Sequence, residues 1–166
     1  MRKILFLLVV SALAACATKY QAQGFAGGFT ETQLDTNVFR VSFKGNGYTG
    51  ADRAEEMALL RSAELTLKSG FTHFAIAGTR SQTDFSSFTT PKQATTTGTV
   101  SSYGSTSYLN TQTSYTGGQT FTAAKPSTTN TIVCFNGKPN IEAFVYDAQF
   151  IYNSLSKKYE LPSAVK

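Results

Sequence analysis

From Thr79 to Thr131, 26 of 53 residues are Ser or Thr, and the only charged residues there are Arg80, Asp84, Lys92 and Lys125. A stretch this polar cannot bury enough apolar surface to offset the entropy of ordering itself, so it builds no core of its own. Any core must come from the two pieces that flank it. In a chain of 166 residues those pieces suit one domain with a moderate core. Six aromatics are scattered through the insert: Phe85, Phe88, Tyr103, Tyr108, Tyr115 and Phe121. Threonine and tyrosine favour strands, which leaves a protruding hairpin open beside the blander reading of a mobile, inert loop. As a binding arm it would present Tyr103, Tyr108 and Tyr115, because tyrosine offers large contact area and one polar tip at modest entropy cost.

The flanking pieces are patterned. "VFRVSFKG" puts Phe39, Val41 and Phe43 on one face and Arg40, Ser42 and Lys44 on the other, a half-buried strand. "GNGYTGADRAEE" then predicts a helix over Ala51 to Ser69, with Thr49 as its cap, Asp52, Glu55 and Glu56 at the positive end of its dipole, and Gly70 as its left-handed stop. Its apolar residues fall on two stripes, Ala51, Ala54, Ala58, Leu65 and Met57, Leu60, Leu67. "FTHFAIAG", "NTIVCFNG" and "IEAFVY" read as three further strands, and Asp147 caps a last helix with Ala148, Ile151, Tyr152, Leu155 and Tyr159 on one face. Pro162 lies beyond its end. The expected fold is α+β: a small, mainly antiparallel sheet of about four strands covered by two helices.

The chain opens on Arg2 and Lys3, an apolar run from Ile4 to Ala12, and the small residues Ala14 and Ala15, the layout of a secretory signal. The run is shorter than the roughly 20 apolar residues that a spanning helix needs. Leu13-Ala14-Ala15-Cys16 resembles the lipobox of bacterial lipoproteins, which implies a diacylglycerol on the Cys16 thiol, cleavage before Cys16 and acylation of the new amino group. An ordinary signal peptide with Cys16 as a plain thiol is the alternative. Acyl chains at roughly 0.8 kcal/mol per buried methylene would hold the domain on a membrane. Position 17 is Ala, not the aspartate of the enterobacterial inner-membrane retention signal, so by that likeness the lipoprotein goes to the periplasmic face of the outer membrane. The expected organisation is a signal peptide over 1–15, lipidated Cys16 and a flexible tether over 16–36, a domain over 37–160 with the insert at 79–131, and a tail over 161–166.

Loss of residues 1–15 lowers the formal charge from +5 to +3, and no run of Lys or Arg exceeds the pair Lys157-Lys158. A nucleic-acid binder would need a basic stripe. With Cys16 acylated, Cys134 has no partner within the chain, and in "TIVCFNG" it reads as a buried, inert hydrophobe.

The segment from Gly27 to Ile76, with "NTIVCF" and "VYDAQFIYNSL", is similar to a family of small proteobacterial lipoproteins without an assigned activity. The resemblance covers about half the chain, with the Ser/Thr insert as its variable part, and it implies the envelope location and the α+β outline only.

Catalytic chemistry finds little material. His73 is the one histidine, expected on a strand beside Phe71 and Ala75, and no G-x-S-x-G elbow is present. His73 and Cys134, even as neighbours, fall short of the four ligands of a structural zinc site. "GNG" at 45–47 lacks both the dinucleotide fingerprint and the phosphate-loop lysine. Asp52, Glu55, Glu56 and Glu64 read as a solvated face, with Glu56 and Glu64 in exposed pairs with Arg53 and Lys68. The expectation is a non-catalytic, cofactor-free envelope module that binds an envelope protein or a cell-wall glycan, with a periplasmic hydrolase-like enzyme as the alternative.

Overall fold

A computed structural model describes residues 17–161. The signal peptide, Cys16 and Pro162 lie outside the described residues. The chain forms β1 (Gly28–Asp35), β2 (Val38–Lys44), α1 (Ala51–Lys68), β3 (His73–Thr89), β4 (Gln93–Tyr103), β5 (Thr106–Thr116), β6 (Thr120–Phe135), β7 (Val145–Asp147) and α2 (Ala148–Lys158). They fall into two compact units. One holds the residues up to Phe85 and from Ala124 onward, the other Ser86–Ala123.

The α+β class stands, with more strands than four. In the first unit the strand order is β1-β2-β6-β3-β7, and β1–β2, β2–β6 and β3–β7 pair antiparallel. Alternation decides the faces. Phe39, Val41 and Phe43 of β2 and Thr128, Asn130, Ile132 and Cys134 of β6 are buried, while Arg40 and Lys44 are exposed and Ser127, Thr129 and Thr131 half-buried. Helix α1 packs on β2 and on α2, and Ala54, Met57, Ala58, Leu60, Ala63, Ala148 and Tyr152 join the strands in one apolar cluster. Burying a side chain such as Phe43 or Phe74 contributes about 1.5–3 kcal/mol.

The stripe expected to run through Ala51 and Leu65 is different in detail. Ala51 is exposed, and Ala54 and Ala58 continue into Ser62 and Thr66, both with no solvent contact. Their hydroxyls are satisfied by donating one turn back, Ser62 Oγ to Ala58 O at 2.8 Å and Thr66 Oγ1 to Ser62 O at 2.7 Å. These two buried hydroxyls therefore sit in the core with their donors paired.

Both helices stop alike. Phe71 N–H reaches Thr66 O and Gly70 N–H reaches Leu67 O after α1, and Leu161 N–H reaches Ser156 O and Glu160 N–H reaches Lys157 O after α2. These are the paired bonds of a Schellman motif. Gly70 takes the left-handed position at φ +84°, as expected, whereas Glu160 takes it at φ +52° in the second motif. Asp147 caps α2 as expected, accepting from Phe150 N–H at 2.9 Å. Thr49 does not cap α1. Gly50 occupies that position without a side-chain bond, and the Thr49 hydroxyl instead meets Thr18 and Asn46.

The tether is corrected over residues 28–35, which form β1 along β2 from Gly28 opposite Lys44 to Asp35 opposite Val38. An edge strand satisfies its backbone on one side only, so "GFTETQLD" needs little apolar content to hold its place. The strand expected in "IEAFVY" contracts to Val145–Asp147 against His73–Ala75, leaving Ile141 and Phe144 exposed. Leu161, assigned to the tail, packs against the core.

In the second unit β4 and β5 form a two-stranded antiparallel sheet paired from Gln93 opposite Thr116 to Tyr103 opposite Thr106. Gly104 opens its two-residue turn at φ +61°, as a hairpin turn with glycine first requires. Gly118 N–H to Thr90 O and Thr90 N–H to Gln119 O close the base. At Gly117, φ is +86° and a Cβ would lie 2.0 Å from Pro91 O, so only glycine fits. The insert is thus built of paired strands, neither a mobile loop nor a small core. Backbone ladders, not apolar burial, account for its order.

Candidate interaction site

Between Ala17 and Gly27 the chain, expected as part of the flexible tether, instead forms a strap held by buried polar groups. Thr18, 1% exposed, donates its N–H to Thr49 Oγ1 at 3.0 Å and its hydroxyl to Ala26 O at 2.8 Å. The same hydroxyl accepts Asn46 N–H at 2.8 Å. Two residues on, Tyr20 packs on Phe29 with ring centroids 5.1 Å apart and donates its hydroxyl to Glu64. Glu64 also receives Arg61 Nη1 and Lys68 Nζ, each at 2.6 Å, and Arg61 Nε reaches Glu31 at 2.6 Å. The Arg61 guanidinium lies 4.0 Å over the Phe29 ring, so the strap, β1 and α1 meet in one network.

The charges in that network are fixed by their partners. Burial opposes the Glu64 carboxylate, but Lys68, Tyr20 and Arg61 outweigh it and hold its pKa below the ordinary value. Burial likewise opposes the Arg61 charge, and the bonds to Glu31 and Glu64 more than restore it. Burial, then the adjoining Glu64 charge, pushes the Tyr20 phenol well up. Glu64 is therefore buried, not on the solvated face that its helix spacing suggested, and its expected pair with Lys68 forms with the carboxylate out of solvent. Glu56 instead bridges the helices, binding Lys158 Nζ at 2.6 Å and Tyr159 OH at 2.5 Å. Lys158 and Tyr159 keep Glu56 below its usual range, while burial and then Glu56 raise Tyr159 to about 12. Arg53 sits 4.8 Å over the Tyr159 ring.

The residues considered for chemistry have local partners. His73 Nδ1 meets Thr72 Oγ1 at 2.8 Å, and that hydroxyl accepts Gly137 N–H at 2.7 Å. Asp147, opposite His73 in the ladder, is the cap of α2. Cys134 is 1% exposed and lies 3.4 Å from Thr66 Oγ1; burial raises its thiol pKa, with the Thr66 hydroxyl pulling the other way. Gly45 of "GNG" packs on Thr49, where a Cβ would come within 2.6 Å of its side chain, which makes the turn a packing feature. Among the described residues no group of three His, Cys, Asp or Glu is placed to hold a metal ion.

Tyr103, Tyr108 and Tyr115 belong to the hairpin, and register divides them. Tyr103 and Tyr108, opposite Thr106 and Ser101, share one face. Tyr115, opposite Ala94, shares the other with the pair Val100 and Leu109. Lys92 Nζ lies 5.3 Å from the Tyr115 ring. Every residue of β4 and β5 is exposed, and both strands are edges. Between Lys92 and Lys125 there is no charged residue.

The sheet face of the first unit away from the helices carries a recess of about 220 Å³ lined by Ser42, Lys44, Arg80, Gln82, Ser127 and Thr129. It is hydroxyl-rich and cationic, with Ser42 Oγ bonded to Thr129 Oγ1 at 2.6 Å. No helix among the described residues is long and apolar enough to cross a membrane. Comparison of the chain with family models, curated proteins and solved structures finds no match.

Proposed function

We propose that this chain is an envelope lipoprotein, anchored through lipidated Cys16 on the periplasmic face of the outer membrane, that acts without catalysis by pairing its β4–β5 hairpin with a strand of an envelope protein. The anchoring half is supported by Arg2 and Lys3, the short apolar run and the Leu13-Ala14-Ala15-Cys16 box. The interaction half is carried by one observation: an 11-residue ladder exposed on both faces and both edges. An isolated two-stranded hairpin is marginal in water, and soluble proteins guard bare edges with Lys, Pro or inward charges. Residues 93–116 contain none of these. Strand addition would satisfy the free backbone groups, with side chains on alternate positions giving specificity.

The test is photocrosslinking in intact cells with a photoreactive phenylalanine analogue at position 108 and, as control, at Phe150. A specific adduct with an envelope protein from position 108, abolished when Thr99→Lys and Thr111→Lys guard the two edges, is expected. Adducts that survive both lysines, or appear only from position 150, would move the interaction to the first unit.

A further inference from the structure

We infer that the corner of the first unit around Thr18 is a membrane-seated surface, in which Phe25 and Tyr48 enter the headgroup layer and Lys19, Lys44 and Lys125 meet lipid phosphates. This rests on the Cys16 anchoring proposed above and adds to it an orientation and a contact surface.

Chain length supplies the first constraint. Two residue steps, at most roughly 7 Å of extended chain, join Cys16 to Thr18. Thr18 is fixed by three hydrogen bonds to Thr49, Ala26 and Asn46. Little slack remains between Thr18 and acyl chains attached through Cys16, so the surface around Thr18 is held next to the lipid.

What surrounds it is aromatic and basic. Ala26, the acceptor of the Thr18 hydroxyl, sits in a turn closed by Gly24 and Gly27, each donating to the other at 3.1 Å. Phe25, at the tip of that turn, is fully exposed. The second loop on Thr18 runs from Asn46 to Thr49, with Tyr48 N–H held by Asn46 Oδ1 at 3.0 Å and its ring 76% exposed. Gly27 is fixed at the same corner, where a Cβ would fall 2.3 Å from Lys44 O and 3.0 Å from the Thr18 side chain. Gly45 N–H binds Pro126 O at 2.8 Å, which brings Lys125 alongside. Lys19, Lys44 and Lys125 are all exposed.

An exposed Phe at the tip of a rigid turn gains nothing in water and leaves water on entering an interface. Tyrosine settles at headgroup depth with its hydroxyl outward, and lysines lay their stems on apolar surface while their ammonium groups meet anionic phosphates. The strap therefore positions the domain on its anchor.

The chain contains no tryptophan, so one introduced indole is an unambiguous reporter. The mature protein, purified from membranes in its lipidated form, is reconstituted into phosphatidylethanolamine/phosphatidylglycerol vesicles as Phe25→Trp, Tyr48→Trp or Phe150→Trp. Phe150 follows Ala148, whose N–H binds Thr72 O, at the end of β6 remote from Ser127. Flotation with the vesicles reports anchoring, and quenching by lipids brominated near the headgroup reports depth. The expected result is flotation of all three, with quenched, blue-shifted emission from positions 25 and 48 and water-like emission from 150. Flotation with position 25 or 48 unquenched, or quenched no more than 150, overturns the proposal and leaves the anchor standing. A chain that does not float overturns the anchoring reading and the proposal with it.

Discussion

The backbone N–H of Thr18 donates to the hydroxyl of Thr49 at 3.0 Å, across 31 positions of sequence. This bond engages Thr49, the residue before the Gly50 cap position, and ties the strap to the loop before α1. Thr18→Val keeps the shape but removes the hydrogen bond to Ala26 O and the one from Asn46 N–H, which keeps its longer bond to Thr49 Oγ1, at a cost of about 2 kcal/mol. The thermal midpoint should fall by roughly 6 °C, whereas Lys19→Ala, at an exposed neighbour, should leave it unchanged.

Glu64 receives Tyr20, Arg61 and Lys68 with its side chain 5% exposed. Glu64→Gln leaves the buried Arg61 with Glu31 as its one carboxylate partner and should cost about 3 kcal/mol at neutral pH. Because the folded state holds this carboxyl below its ordinary 4.5, its contribution is complete above that value and lost as pH falls through the lower, folded-state pKa. Urea unfolding across the acid range should show the wild-type advantage constant at higher pH and shrinking below pH 4.5.

Glu160 adopts the left-handed position that Gly70 fills in the equivalent motif after α1. A β-carbon there costs roughly 1 kcal/mol, so Glu160→Gly should stabilise the protein by about that amount. Gly70→Ala should destabilise it by a similar amount, both read from denaturant midpoints.

Cys134 is enclosed by β6 and α1, with burial raising its pKa. Alkylation by iodoacetamide should be negligible in the folded protein and complete once it is unfolded. Rapid labelling under native conditions would contradict the inert-core role.

Much of the first unit was legible because burial there follows simple periods. Phe39, Val41 and Phe43 alternate, Gly70 stops α1, and Asp147 caps α2, each through a local rule. What the sequence hid depends on distant partners. Nothing near Thr18 or Tyr20 signals burial, since their partners Thr49 and Glu64 lie 31 and 44 positions away. Glu64 sits three residues after Arg61 and four before Lys68, a spacing that suggests pairs but cannot say that Tyr20 and the strap cover them. In the insert, composition correctly excluded a core, yet Thr-rich strands need only each other's backbone. Val100 opposite Leu109 and Ala94 opposite Tyr115 emerge as pairs only once the Gly104 turn sets the register.

The most direct test of the whole account is mass spectrometry of the N-terminal tryptic peptide of the mature protein purified from membranes. Proposed processing gives Cys16-Ala17-Thr18-Lys19 bearing a diacylglycerol on the thiol and a fatty acyl group on the amino terminus. A peptide that begins upstream of Cys16, or begins at Cys16 with a free thiol and free amino group, would contradict the anchor and, with it, the membrane-seated role of the strap.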